Sequence, residues 1–319
     1  MRYVHLVVPL LLFSLLETAE GVGRARRIVE RLDRDPPDRR QPAPIESTTA
    51  MRTHRDISYV PADQPGSTDR QVLDIHAPLN ASSHPVWVYI HGGAWASGDK
   101  QRAERSGMAA AMVRRGYVVV AVNYRFTPPH SFPANVQDVA SAIAWVHRHI
   151  PRYGGDSERI FLMGHSAGAH LASMVGADAT YLRAYGLRPN QLRGVVALDT
   201  QAYNLELIAS NNGSRLPPAF ARAFGQDPNV WGKASPALGV SVDSPPPPFA
   251  ICYSGGRRGR APEDRREQAH LFAEALRQRG GRATVVSAPT TTHSDIMDNF
   301  GKPTDRVTTE ALRAIGAPE

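Results

Sequence analysis

Two short stretches of the chain combine residue types that suit acyl-transfer chemistry. The first is Gly164-His165-Ser166-Ala167-Gly168, set directly after a predicted strand, Arg159–Met163, and before a small-residue helical segment, Ala167–Ala177. Glycine at both flanks permits a sharp strand-to-helix turn that holds a serine hydroxyl clear of the backbone. The helix that follows offers its first amides to developing negative charge. Ser166 is therefore the candidate nucleophile. The second stretch is His91-Gly92-Gly93-Ala94-Trp95, into which the apolar run Val86–Ile90 leads. Two adjacent glycines after a strand let backbone N–H groups face a substrate oxyanion, and one such donor is worth about 2.7–4 kcal/mol in the transition state. The candidate donors are the amides of Gly92, Gly93 and Ala167. Alone, a Gly-Gly pair reads as a simple turn; beside the serine motif it reads as an oxyanion loop.

These groups need rigid elements to present them, and the pattern predicts an alternation of strands and helices. Arg55–Val60 and Arg70–His76 read as a leading pair of strands. Val86–Ile90 and Val118–Val122 are continuous apolar runs, which suit strands covered on both faces. Helices are predicted over Gln101–Arg115 and over Ala134–His149, where Val136, Val139, Ala140, Ile143 and Val146 recur near a 3.6-residue period. Further strands follow at Ile160–Met163, Val195–Leu198, Phe249–Tyr253 and Thr284–Ser287. Further helices are predicted from Ala167, over Pro262–Arg279, and to an end near Ile315. The fold class is α/β, a mostly parallel sheet wrapped by helices. Thr200–Pro248 breaks the rhythm with Asn211-Asn212-Gly213 and four consecutive prolines from Pro245. It is too long for an ordinary connection and is expected to form a short cap over the strand ends.

Composition removes other classes. A chain of 319 residues with 42% hydrophobic and 21% charged residues can bury a sizeable core, so it is neither disordered nor fibrous. The net charge of +7 comes from 37 basic and 30 acidic residues, and all the basic residues but Lys100, Lys233 and Lys302 are arginine. The arginines are scattered without interleaved aromatics, which argues against a nucleic-acid partner. Cys252, the single cysteine, can form neither an internal disulfide nor a cysteine-based metal site, and no H-E-x-x-H spacing appears. No metal or organic cofactor is expected. Tyr3–Leu16 is apolar except for His5, Pro9 and Ser14. As a helix it spans about 21 Å, short of the ~30 Å bilayer core. Residues 1–21 are thus expected to be a signal peptide, with Ala19 and Gly21 before the cleavage point, or else an uncleaved N-terminal anchor. A secreted or periplasmic location follows. Residues 22–50 read as an Arg/Pro-rich linker and 51–319 as the catalytic domain.

The two motifs, together with Asp56-Ile57-Ser58-Tyr59, Leu73-Asp74-Ile75, Phe224-Gly225 and Ala234-Ser235-Pro236, make the chain resemble an α/β-hydrolase of the HGGxW esterase/lipase group. That group includes carboxylesterases, feruloyl-esterase-like enzymes and kynurenine-formamidase-like proteins. The resemblance runs from about Thr53 to Ala314 and implies a Ser, Asp/Glu, His triad in that chain order. It implies a histidine after the last strand, and His293 stands there. A neutral imidazole takes a serine proton near pH 7 and returns it to a leaving group. The acid departs from the group's pattern, because the loop after Phe249–Tyr253 reads Ser254-Gly255-Gly256-Arg257-Arg258-Gly259-Arg260 and has no carboxylate. Asp264, in the opening turn of the next helix, and Asp199, at the end of the strand Val195–Leu198, are the two alternatives. Trp95 either lines the substrate pocket or packs as a buried aromatic. His170 is expected to be a packing residue.

The resemblance implies a serine hydrolase that cleaves small-molecule carboxylic esters through an acyl-enzyme. An arylformamidase-type amidase and a non-catalytic binding protein on the same fold are the alternatives.

Overall fold

The computed structural model describes residues 51–61, 67–255 and 263–318. The expected leader (1–21) and linker (22–50) lie outside the described residues. Eight strands form one sheet: β1 (Met51–Ser58), β2 (Val72–Pro78), β3 (His84–Ile90), β4 (Val118–Val122), β5 (Gly155–His165), β6 (Leu192–Leu198), β7 (Phe249–Ser254) and β8 (Ala283–Ala288). Their spatial order is β1-β2-β4-β3-β5-β6-β7-β8. The pairs β1/β2 and β2/β4 are antiparallel, and every later pair is parallel.

Burial on both faces explains why the central strands are continuously apolar. In β3, Val86, Val88 and Ile90 join one core while Trp87 and Tyr89 join the other. In β4, Val118, Val120 and Val122 oppose Val119 and Ala121 in the same way. The helices that close the first core are α3 (Ala134–His149), α4 (Ala167–Ala177) and α9 (Glu263–Gln278). The second core is closed by α1 (Arg102–Arg105), α2 (Met108–Arg114), α10 (Asp295–Asn299) and α11 (Arg306–Ile315). The helix predicted over Gln101–Arg115 is thus two helices. Gly107, at φ 77°, separates α1 from α2 in the left-handed region that glycine enters without steric cost.

Between β6 and β7, the predicted cap segment contains α6 (Leu205–Ser210), α7 (Pro218–Phe224) and α8 (Pro228–Lys233), which follow the short α5 (Ala179–Arg183). Its apolar side chains Phe220, Phe224 and Trp231 are buried. Ser235 ties the segment together: its hydroxyl donates to the Trp231 carbonyl at 2.7 Å and accepts from the Leu205 amide at 2.8 Å.

Register decides where the chemistry-bearing residues emerge. Ile90 pairs with Gly164, Gly164 with Ala197, Leu198 with Cys252, and Ser254 with Ala288. The residues that follow β3, β5, β6 and β8 therefore leave the sheet along one carboxyl-end edge, where open parallel sheets bind their ligands. The helix α4 must also pass very close to β3 and β5. A Cβ on Gly164 would sit 2.0 Å from the Gly168 carbonyl oxygen, and one on Gly168 would sit 2.2 Å from that of Ile90. Both obstacles are backbone, which cannot swing aside. Gly164→Ala is expected to lower the unfolding free energy by at least about 2 kcal/mol, read by urea denaturation.

Candidate active site

Ser166 occupies the turn between β5 and α4 with φ 55° and ψ −119°, a conformation strained for a residue with a side chain. Such a position costs about 1–3 kcal/mol and persists where the surroundings over-determine it. Here the Ser166 amide donates to the Leu198 carbonyl at 2.9 Å, and the Ser166 carbonyl accepts from the amides of Ala169 and His170 at 3.0 and 3.2 Å. The bend is thus anchored to β6 on one side and to the first turn of α4 on the other. Gly92 lies against it, since a Cβ there would be 3.0 Å from Ser166 Cβ.

His293 follows β8 on a loop braced from several directions. Thr291 donates through its hydroxyl to the Ala288 carbonyl at 2.8 Å. The Gly255 amide reaches the Ala288 and Thr291 carbonyls at 2.8 and 3.1 Å. Gly255 also passes so near Pro289 that a Cβ would stand 1.9 Å from its carbonyl oxygen. His165, the residue before Ser166, donates from Nε2 to the His293 carbonyl at 2.9 Å, and the two rings lie 4.7 Å apart. The imidazole is thereby delivered beside the serine turn.

His293 Nδ1 lies 2.6 Å from Asp199 Oδ2. Asp199 stands immediately after β6 with φ 59° and is buried. Its Oδ1 accepts from the Ser254 amide at 2.8 Å, its Oδ2 accepts from the Ser254 hydroxyl at 2.7 Å, and Arg265 Nη1 approaches both oxygens at 3.2 and 3.0 Å. Burial alone would raise the carboxyl pKa, but the bond from His293, its charge and that of Arg265, and the Ser254 amide bring it down to about 2. An ionised carboxylate only accepts, so Nδ1 of His293 donates to it. In a neutral imidazole that arrangement leaves Nε2 as the basic nitrogen, the tautomer a general base for a hydroxyl requires.

The Gly92–Gly93 loop has its own support. Gly93, at φ 120°, turns the chain so tightly that a Cβ would meet the Ser97 carbonyl oxygen at 2.2 Å. His91 is buried, hydrogen-bonds through Nδ1 to the Gly92 carbonyl at 2.7 Å, and faces Arg70 Nη2 through Nε2 at 3.3 Å. Arg70 also donates to the Gly98 carbonyl at 3.0 Å and to Asp99 at 3.2 Å, and Asn123 donates to Asp99 at 2.9 Å. Lys100 follows and pairs with Asp74 at 3.0 Å and Asp56 at 2.8 Å. This polar chain fixes the loop to β2 and β4.

Of the two carboxylates weighed from the sequence, the fold brings Asp199 to His293. Asp264 is exposed on the opening turn of α9, where a negative side chain complements the helix dipole. Trp95 is a buried aromatic rather than an open pocket wall. Its ring packs against His170, Phe224 and Phe220 at centroid separations of 5.3, 4.8 and 5.7 Å, and its Nε1 donates to His170 Nδ1 at 3.2 Å. His170 in turn donates from Nε2 to the Ala234 carbonyl at 2.8 Å, as befits a packing histidine. The roles of His165, Ser254, Arg265 and Arg70 were not read from the sequence, because each acts through a residue it touches across the fold, and His165 occupies a position of the serine motif that the pattern leaves open. Among the described residues, no cluster of His, Cys, Asp and Glu could hold a metal ion, and no helix is long and apolar enough to cross a membrane.

The parallel sheet, the serine turn and the carboxyl-end site define an α/β-hydrolase of the esterase/lipase group. The BD-FAE family model matches residues 73–252, more than half of the chain, and the chain belongs to that family. It is 29% identical over 277 residues to the probable carboxylic ester hydrolase LipM of Mycobacterium tuberculosis, an alignment covering 79% of this chain and 59% of LipM. It is 31% identical over 252 residues to the probable isoprenylcysteine alpha-carbonyl methylesterase ICMEL1 of Arabidopsis thaliana, covering 75% of this chain and 51% of that one. The chain thus spans between half and three-fifths of the length of these curated relatives. Among solved structures, esterase B from Lactobacillus rhamnosis superposes with a TM-score of 0.64 at 19% identity, covering 95% of each chain. A truncated carbohydrate esterase from gut microbiota gives 0.65 at 20% identity, covering 84% of this chain and 98% of the other.

Three buried histidines set an acid limit on stability. Burial, the leading cause in each, lowers His91 and His170 to about 4 and His165 to about 3, with the charge of Arg70 adding to it at His91 and that of His293 at His165. An unfolded histidine titrates near ~6.5. Below that pH the unfolded chain binds protons that the native state excludes, so stability is fully present above about 6.5 and declines as pH falls towards 4. Asp199 acts in a lower window, between the unfolded carboxyl value of ~3.9 and its native value of about 2. Urea unfolding between pH 7 and 4 should show this decline, and His170→Phe should flatten its slope by about one proton.

Proposed function

We propose that the protein is a serine hydrolase that cleaves small-molecule carboxylic esters through an acyl-enzyme. One observation carries the reading: a buried, ionised Asp199 bonded at 2.6 Å to His293 Nδ1, on a loop that His165 ties beside the Ser166 turn. The curated relatives named as ester hydrolases and methylesterases support the bond type.

In the proposed reaction, Ser166 Oγ attacks the acyl carbon while His293 Nε2 takes its proton. The tetrahedral oxyanion accepts hydrogen bonds from the amide of Ala167 and from Gly92 or Gly93. Asp199 keeps the proton on Nδ1 and stabilises the imidazolium without accepting that proton. The imidazolium then protonates the departing alkoxide, and the acyl group remains on Ser166. Water, deprotonated by the same imidazole, attacks the acyl-enzyme and releases the acid and the free serine.

Turnover of p-nitrophenyl butyrate, with fluorophosphonate labelling, tests the assignment. Ser166→Ala should abolish both turnover and labelling while keeping its thermal transition, and retained turnover would defeat the reading. Asp199→Asn should lower kcat by a factor on the order of 10⁴, because amide Nδ2 in place of Oδ2 favours the wrong imidazole tautomer. Asp264→Asn should leave kcat within about twofold, as for an exposed charge outside the site.

A further inference from the structure

Ester hydrolysis by serine, imidazole and carboxylate calls for no cation on the carboxylate, yet Arg265 reaches into the site from the first turn of α9. Its side chain is only 16% exposed. A single nitrogen, Nη1, lies 3.0 and 3.2 Å from the two Asp199 oxygens and 2.7 Å from the Ser254 hydroxyl. Nε is left buried without a partner. The guanidinium is therefore placed for this contact at the expense of its own hydrogen bonding, and desolvating it has a cost that the Asp199 charge must offset.

We propose that Arg265 is a positioning residue for the His293–Asp199 pair: with Ser254 it fixes the carboxylate plane, and its charge restrains how strongly Asp199 stabilises the imidazolium. The inference rests on the serine-hydrolase reading above. The geometry supplies both effects. The Ser254 hydroxyl donates to Oδ2 and accepts from Arg265, and the Ser254 amide holds Oδ1, so the carboxylate cannot rotate away from the imidazole. Arg265 and His293 bond the same oxygen, so they stand no farther apart than those two bonds laid end to end. At that range two positive charges repel substantially even with protein screening. The Arg265 charge thereby opposes positive charge on the imidazole.

The other titratable and charged groups on the neighbouring elements leave this balance to Arg265. His165, from the end of β5, is held neutral by burial. Asp295, at the start of α10, is exposed, so solvent screens its charge, and it accepts from the Thr292 hydroxyl at 2.6 Å. Arg102, on α1, pairs with Asp298 on α10 at 2.8 Å.

The test is the pH dependence of kcat/KM on p-nitrophenyl butyrate, alongside an NMR titration of the protein labelled at histidine Cε1, with His293 assigned by its loss in His293→Ala. Arg265→Gln should raise both the acid-limb pKa and the His293 titration by about one unit. Arg265→Lys, which keeps a charge but not the shared contacts, should hold the acid limb near that of the wild type while kcat falls several-fold. An Arg265→Gln enzyme with reduced kcat and unmoved pKa values would make the arginine a structural tie only and overturn the proposal. So would an Arg265→Lys enzyme with wild-type kcat, and this second variant carries the test if the first does not fold. The NMR titration needs no turnover, so a loss of the hydrolase reading, seen as absent fluorophosphonate labelling of Ser166, is distinguishable from a failure of this one.

Discussion

An ionised carboxylate with almost no access to water is the constraint on which the candidate site depends. Asp199 is 1% exposed, and a charge so placed must be met by donors or it will neutralise instead. The donors come from three separate parts of the chain: Ser254 at the end of β7, Arg265 in the first turn of α9, and His293 on the loop after β8. The backbone adds to this, with the Asp199 amide donating to the Cys252 carbonyl at 2.8 Å. Satisfying one charge thus fixes the relative positions of β6, β7, α9 and the histidine loop. The same bonds that make the carboxylate tolerable also give the imidazole its tautomer.

The Gly92–Gly93 side of the site is built by different physics. There, close backbone approach does the positioning, through Gly92 against Ser166, Gly168 against Ile90, and Gly93 against Ser97. A polar chain from Arg70 through Asp99 and Asn123 holds the loop from outside. The two assemblies meet at Ser166, whose amide is bonded to Leu198, the residue before Asp199. A strained serine conformation persists because both neighbours are rigid.

Much of the fold was legible in the residues. β4, α3 and α4 have the predicted bounds, because runs such as Val118–Val122 and a 3.6-residue apolar period leave little choice once both faces are to be covered. The break at Gly107, absent from the predicted helix, reflects a single glycine whose φ the apolar pattern does not encode. In the site, the serine and glycine motifs were visible because their geometry is local. The carboxylate was not, since Asp199 and Asp264 are both acids near a strand end or helix start. Only the register of β6 against β7 and the path of the β8 loop bring one of them to the imidazole. Arg265 and His165 were invisible for a similar reason: their roles arise from what they touch across the fold, not from spacing along the chain.

One further relation concerns how the cap segment and the loop behind the serine share a boundary. The indole of Trp95 donates to the imidazole of His170, and that imidazole donates to the Ala234 carbonyl. The two contacts fix the His170 tautomer, with the proton on Nε2 and the lone pair on Nδ1, and a reversed ring would set carbon atoms where the nitrogens bond. The relay therefore pins the cap segment to the loop after β3. Phe220 and Phe224 on α7 pack on the same indole, so a change of size there would disturb the ring that the relay holds.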